Sequence, residues 1–283
     1  VMLKQLPLMA FLLGTLVLQC RAPKKKVSHR ITYDFENPLR ILELESDLVE
    51  ISGIAWWSKD TLAAIEDEKG KIYFIDLANG KVLNKTDFGE KGDYEDVAVR
   101  NRKLYVLKSN GDIFKVKDPF KKEAKVKKMD TSLSKKDDLE GLCYFSEKDC
   151  FLLGAKEPGE IKGKRVIYEL KRGNDDIEKE PYLIIDEDNL MDEIHKKYGD
   201  RIGKNFKPSG LEIHPISGDL YVISAINRIL AVFDKKNQLK EAIRLPKSYA
   251  KQAEGICFAP DGTLYISSEG VEGKGKITEL KMK

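Results

Sequence analysis

From residue 53 to the C-terminus, short apolar runs succeed one another, each cut by Gly, Asn, Asp or Lys. In the first stretch they fall at 53–57, 61–65, 71–76 and 81–88. Runs of this length, rich in Ile, Tyr, Phe and Trp and bounded by turn formers, predict antiparallel β-strands. Arg100 to Lys103, Ser217-Gly218-Asp219, Pro260-Asp261-Gly262 and Asn110-Gly111-Asp112 supply the same turn chemistry further along. One stretch has a helical pattern, 189–198, with Asp192-Glu193 toward its start and Lys196-Lys197 toward its end. That charge order suits a helix dipole.

The strand pattern repeats. Ser52-Gly53-Ile54-Ala55 returns as Glu95-Asp96-Val97-Ala98, Glu140-Gly141-Leu142-Cys143, Ser209-Gly210-Leu211-Glu212 and Glu254-Gly255-Ile256-Cys257. The second positions are 43, 45, 69 and 45 residues apart, and the ordinary step matches one four-stranded propeller blade. The long step places about 24 extra residues in the third unit, within 178–207. The last unit offers three strands, near 256–259, 263–267 and 276–281, while an unassigned apolar stretch lies at 39–45. Pairing that stretch with the last unit closes a ring and hides two sheet edges. The expected fold is all-β: a five-bladed β-propeller over 38–283, closed by an N-terminal strand, with a short helical insertion in blade three. That insertion reads either as a lid or partner-binding element or as a solvated decoration of its blade.

Residues 1–20 differ. Lys4 precedes an apolar run from Leu6 to Leu18, followed by Cys20 and a basic linker, 21–37, that includes Lys24-Lys25-Lys26. The run is too short for a bilayer core of about 30 Å and reads as a secretory signal. Val17-Leu18-Gln19-Cys20 points to a lipoprotein signal with Cys20 lipidated, and a plain cleaved signal peptide is the alternative. Either one exports the chain.

Fifty basic against 47 acidic side chains leave a net charge of +3, and no basic run is interleaved with stacking aromatics, so nucleic-acid binding is not expected. Setting Cys20 aside leaves Cys143, Cys150 and Cys257, an odd number that argues against a disulfide framework. Cys143 and Cys257 share a tetrad position with Ala55 and Ala98 and read as small core residues. A Cys143–Cys150 hairpin bridge is the alternative. Trp56-Trp57 reads as packing between blades. His29, His195 and His214 are the only histidines, and no spacing completes a nucleophilic triad.

Chemistry should therefore come from the axis, where equivalent residues of successive blades face one another. The first tetrad positions form a ring of Ser52, Glu95, Glu140, Ser209 and Glu254. Three converging carboxylates repel unless a cation compensates, and calcium takes six to eight oxygens in a forgiving geometry. Glu95, Glu140 and Glu254 are the candidate metal ligands, with Ser52, Asp67 and Ser209 as weaker ones. Zinc or copper would call for His or Cys. A second ring, at Asp67, Lys108, Lys156, Ser224 and Ser268, offers another solution, in which Lys108 and Lys156 pair with Glu95 and Glu140 without a metal. Glu66-Asp67-Glu68 reads otherwise as a solvated turn.

Ser52-Gly53-Ile54-Ala55-Trp56-Trp57, Glu66-Asp67-Glu68-Lys69-Gly70-Lys71-Ile72-Tyr73, Gly92-Asp93-Tyr94-Glu95-Asp96-Val97-Ala98, Lys207-Pro208-Ser209-Gly210-Leu211 and Ala253-Glu254-Gly255-Ile256 resemble the SdiA-regulated family of bacterial envelope proteins over roughly 38–283. Asp96 departs from the expected glycine, and Glu212 stands where a small residue is usual. The resemblance implies a five-bladed propeller, often behind a membrane anchor, with a calcium site and no established enzymatic activity. The expected protein is a monomeric, lipid-anchored, calcium-binding propeller of the bacterial cell envelope. Its partners would be the membrane, through the lipidated N-terminus, and a protein or other envelope ligand on one face. The alternative is a calcium-dependent hydrolase, a lactonase or phosphoesterase, with its site at the central channel.

Overall fold

The structure, a computed structural model, describes residues 32–157, 163–171, 177–178, 180–199, 202–203, 205–271 and 273–283. The signal segment 1–20 with Cys20, and the linker up to residue 31, lie outside the described residues.

After β1 (Arg40–Glu43) come four complete meanders. The first is β2 (Ile51–Ser58), β3 (Thr61–Glu66), β4 (Lys71–Asp76) and β5 (Val82–Asp87). The second is β6 (Tyr94–Arg100), β7 (Lys103–Lys108), β8 (Ile113–Lys117) and β9 (Lys125–Met129). The third is β10 (Leu139–Phe145), β11 (Cys150–Ala155), β12 (Lys164–Lys171) and β13 (Leu183–Asp186), followed by the helix α1 (Glu187–Tyr198). The fourth is β14 (Gly210–Ile213), β15 (Leu220–Ser224), β16 (Ile229–Phe233) and β17 (Leu239–Arg244). The fifth unit has only β18 (Ala253–Phe258), β19 (Leu264–Ser268) and β20 (Lys276–Leu280), and β1 completes its sheet in the order β1-β20-β19-β18. The fold is the expected five-bladed propeller. Arg40 lies opposite Glu279 and Glu43 opposite Lys276, and Arg40 Nε donates to Glu279 Oε2 at 3.1 Å. This pairing removes the two edges an open ring would leave. The ring closes entirely within residues 32–283, so that portion carries its own core and its own closure.

Both faces of the inner strands are covered, which is why a strand such as β3 is buried almost throughout rather than on alternate residues. The core consists of apolar clusters shared by neighbouring blades. Ala55, Ile65 and Phe74 of blade one, for example, pack with Val97, Leu104 and Val106 of blade two. The two tryptophans serve opposite neighbours: Trp57 joins that cluster, and Trp56 stacks on Tyr265 of blade five at 5.9 Å. Cys143, Cys150 and Cys257 are free and buried, so Cys143 and Cys150 form no bridge.

The 178–207 segment contains blade three's outer strand and then α1. Asp186 caps the helix by accepting from Asn189 N at 3.1 Å, and Gly199 ends it in the left-handed conformation at φ 64°. Leu190, Met191 and Ile194 are buried against Phe206, Ala231 and Phe233. The helix is thus a wedge between blades three and four. Among the described residues, no helix is long and apolar enough to cross a membrane.

Every innermost strand (β2, β6, β10, β14, β18) starts on one side of the disc, here the mouth face, and ends on the far face. The first described residues pack on the far face. Tyr33 bridges to Met282, donates its hydroxyl to Gly262 O at 2.6 Å and lies 2.8 Å from His214 Nε2. His214 Nδ1 accepts from Ile216 N and Ser217 N, so Nε2 carries the proton and donates to Tyr33.

Candidate functional site: an acidic mouth on the propeller axis

The tetrad's second position is where blades touch. A Cβ on Gly210 would stand 2.7 Å from Glu254 O, and one on Gly255 would stand 2.7 Å from Ser52 O. Only glycine permits that approach. Asp96 solves the same contact differently. Its carboxylate accepts from Val97 N at 2.8 Å and, across the gap to blade three, from Leu142 N at 2.7 Å. The two serines latch blades as well: Ser52 Oγ donates to Glu95 O at 2.5 Å and Ser209 Oγ to Ala253 O at 2.7 Å.

With the inner strands so fixed, their first residues surround the axis. Ser52, Glu95, Glu140, Ser209 and Glu254 line one cavity of about 440 Å³ on the mouth face. Segments following the second strands add Asp67, Lys156 and Glu269, and segments leading into inner strands add Asp93, Lys207, Lys251 and Gln252. Six carboxylates and three lysines thus face one cavity. Of the predicted lysine pairs, one forms: Lys156 makes an ion pair with Glu140, which is only 7% exposed. Lys108 instead stands over the Tyr94 ring at 5.3 Å. Among the described residues it pairs with no carboxylate.

One half-buried cation among so many acids leaves the others short of compensation. Burial first, then Glu140 and Asp93, push Glu95 up to about 10. Burial, Glu140 and Glu269 push Glu254 up to about 8. Burial, Asp67 and Glu50 bring Glu269 up to about 7. Glu140 is also raised by burial, with Lys156 pulling the other way. At neutral pH Glu95 and Glu254 therefore hold protons, because the mouth cannot carry all its charges at once.

The carboxylates that approach most closely sit at the rim. Glu50, Glu66 and Asp67 bring oxygens within 4.8 Å of one another, the only such trio of acidic, His or Cys groups among the described residues. Glu66 is not part of a solvated turn: it is 1% exposed, and its carboxylate accepts from Lys69 N at 2.7 Å. Asp67 Oδ1 is buried without a hydrogen-bond partner among the described residues, and burial, Glu50 and Glu66 raise its pKa. This trio, all oxygen donors with one orphaned oxygen, fits a hard cation. Glu95, Glu140 and Glu254 share the cavity without forming such a trio.

Below the mouth, the fourth tetrad position places Cys143, Glu212 and Cys257 near the axis. Glu212 is enclosed by protein, with part of its surface still reachable by water, and burial pushes it up to about 8 although Ile213 N donates to it at 2.8 Å. Burial, then Glu212 and Asp96, push both thiols well above their ordinary value. They stay protonated and serve as packing groups. Sequence reasoning missed Glu50, Asp93 and Glu269 at the mouth. Glu269 follows the predicted second-ring residue Ser268 by one position, and Glu50 and Asp93 each precede a ring residue by two, so counting outward from each ring position would have found all three. Neither described histidine lines the cavity: His195 Nε2 lies 3.1 Å from Ile202 O, and His214 is held by Tyr33.

A five-bladed propeller with an acidic axial mouth is the class that fold and site define. The chain's residues 30–271 match the SdiA-regulated family model, and the chain belongs to that family. Comparison with curated proteins finds no match. Among solved structures it is similar to the glutaminyl cyclase of Myxococcus xanthus, with a TM-score of 0.60 and 11% identity over 87% of this chain and 96% of that one. It is also similar to the PQQ-bound aldose sugar dehydrogenase of Streptomyces coelicolor, with a TM-score of 0.54 and 11% identity over 87% and 98%. Identities this low establish a shared fold and nothing about activity.

Proposed function

We propose that this chain is an exported, lipid-anchored binding protein of the bacterial cell envelope, whose acidic mouth holds calcium and presents it, with the surrounding carboxyls, to a cationic or polar envelope ligand. The observation that carries the reading is Asp67 Oδ1, buried and unpartnered beside Glu50 and Glu66 on the rim of a mouth richer in acids than in lysines. Lys69, 3.4 Å from Glu66, is the one cation paired with this trio among the described residues, and a cluster so short of positive charge gains stability once a hard cation sits in it. Glu50, Glu66 and Asp67 would hold the ion, and the Glu95, Glu140 and Glu254 ring would face the ligand. Export and anchoring rest on the Leu6-to-Leu18 run and Cys20.

The test is a calcium titration of residues 31–283 followed by thermal unfolding. Saturation at about 100 times Kd should add about 2.7 kcal/mol of stability, and Asp67→Asn should abolish the gain. An unchanged melting temperature, or an equal gain in Asp67→Asn, overturns the assignment. A second reading, a calcium-dependent hydrolase, draws on Glu269, whose value of about 7 gives the mouth a carboxyl able to exchange protons at neutral pH. Turnover of a lactone or phosphoester panel that is lost in Glu269→Gln would favour it over binding alone.

A further inference from the structure

The opposite charge gathers on the far side of blade two. Residues 100–128 contain eleven Lys or Arg and only three Asp or Glu, in a chain whose net charge is +3. Linear spacing disperses these lysines, but strand pairing brings them together. Lys115 lies directly opposite Lys127, and Lys117 directly opposite Lys125. The period of two puts both pairs on one face of the blade. Like charges directly opposite each other destabilise a sheet, and two such pairs stand in succession here.

The face also has a shape. Lys103, Lys115 and Lys127 rim a groove of about 310 Å³ between blades two and three, floored by Tyr105 and Phe151. Asp149, the one carboxylate lining it, is engaged by Arg100 at 2.7 Å. Among the described residues, Lys103, Lys115, Lys117, Lys122, Lys125 and Lys127 have no carboxylate partner. At the tip of the β8–β9 turn, Phe120 is 55% exposed. It packs on blade one's Phe74 at 4.5 Å and Trp57 at 5.7 Å, so one side of the ring is covered and the rest is left open at the far edge. Ile216, on the β14–β15 turn of the same far face, is also 55% exposed. Tyr33, bridged to Met282 and bonded to Gly262 O, lies at this face too.

We infer that the far face of blade two docks on an anionic lipid bilayer, with the lysines of β8 and β9 against the headgroups and Phe120 inserted at the interface. Lysines clustered near a surface are drawn to anionic lipid, and a protruding aromatic suits the boundary between headgroups and acyl chains. A bilayer supplies both the negative charge that relieves the two Lys–Lys pairs and an apolar layer for Phe120. A soluble polyanion supplies only the first. Docked this way, the acidic mouth faces away from the membrane, toward ligands in solution. The inference does not depend on lipidation of Cys20 or on calcium at the mouth.

The test is co-sedimentation of residues 31–283 with phosphatidylcholine vesicles, with and without phosphatidylglycerol. Binding should require phosphatidylglycerol and disappear at about 1 M salt, where the screening length falls to about 3 Å. Replacing Lys115, Lys117, Lys125 and Lys127 by Gln should lower partitioning roughly 600-fold, at about fivefold per lysine. Its melting temperature should hold or rise as the like-charge pairs are removed, which separates lost docking from lost folding. Replacing Lys69, Lys91, Lys135 and Lys136 on the mouth face by Gln should leave binding within about twofold of the parent if charge position, not net charge, governs docking. Phe120→Trp should show blue-shifted emission on the same vesicles. Binding independent of phosphatidylglycerol, equal loss in the two lysine sets, or retention on heparin without vesicle binding would each overturn the inference. None of these outcomes bears on the calcium reading, whose readout is thermal unfolding without lipid.

Discussion

The mouth and the far edge of blade two both crowd like charges, and they absorb the repulsion by different means. At the mouth, inner strands converge and partly bury their first residues, so Glu95 and Glu254 are pushed toward the protonated form and Lys156 pairs with Glu140. On blade two the lysines of β8 and β9 stand side by side at the sheet's outer edge, where solvent screens them. The same crowding is therefore relieved by protons and an ion pair in one place and by solvent in the other. What decides between them is the dielectric around the group as much as the residue type.

The largest effect that can break this contrast is at Lys156. Lys156→Gln leaves Glu140 buried without its cation and should cost about 2–3 kcal/mol in urea unfolding near neutral pH. Adding Glu140→Gln should recover most of it. If Lys156→Gln is silent, the mouth is wetter than its burial indicates.

The intermediate effect is on pH dependence. Glu212 has its folded-state pKa raised to about 8 from 4.5, so the folded protein binds a proton that the unfolded chain has released. The sign follows: this stability is fully present below about pH 4.5 and is lost as pH rises through about 8, by at most ~1.4 kcal/mol per unit. Glu254 adds to the same window. The melting temperature should therefore fall between pH 5 and 9 without calcium, roughly, and Glu212→Gln should flatten the curve. A profile that Glu212→Gln leaves unchanged would mean that residue is solvated in the channel.

The smallest effect lies on blade two. Lys127→Glu turns one Lys–Lys pair into an attractive one and should stabilise by about 0.5 kcal/mol at low salt, fading at high salt. A loss of stability there would show that Lys127 already has a compensating neighbour.

Much of this molecule is legible in the chain alone. Five copies of one tetrad, at steps suited to four strands, specify five blades. The missing strand of the last unit, together with the spare stretch at 39–45, anticipates the closure by β1. Position two had to be small because neighbouring blades meet there, and the two residues that depart from the tetrad's pattern are both acids, Asp96 buried and Glu212 half-buried. The helix was visible from its charge order, but its burial against blade four was not, because the residues it covers come later in the chain.

The site was legible only in part. A repeat indicates which residues are equivalent and therefore which ones converge, and that places Glu95, Glu140 and Glu254 on one cavity. It does not say how far each side chain reaches. Lys156 reaches Glu140 while Lys108 rests on Tyr94, because Lys108 holds the register that Ala155 holds in blade three, one residue short of Lys156. The close trio at Glu50, Glu66 and Asp67, and the facing lysines of β8 and β9, depend on strand register and loop path. Periodicity comes from local backbone geometry, which the chain encodes residue by residue. Charge proximity comes from packing between segments distant in sequence, and only the closed ring decides it.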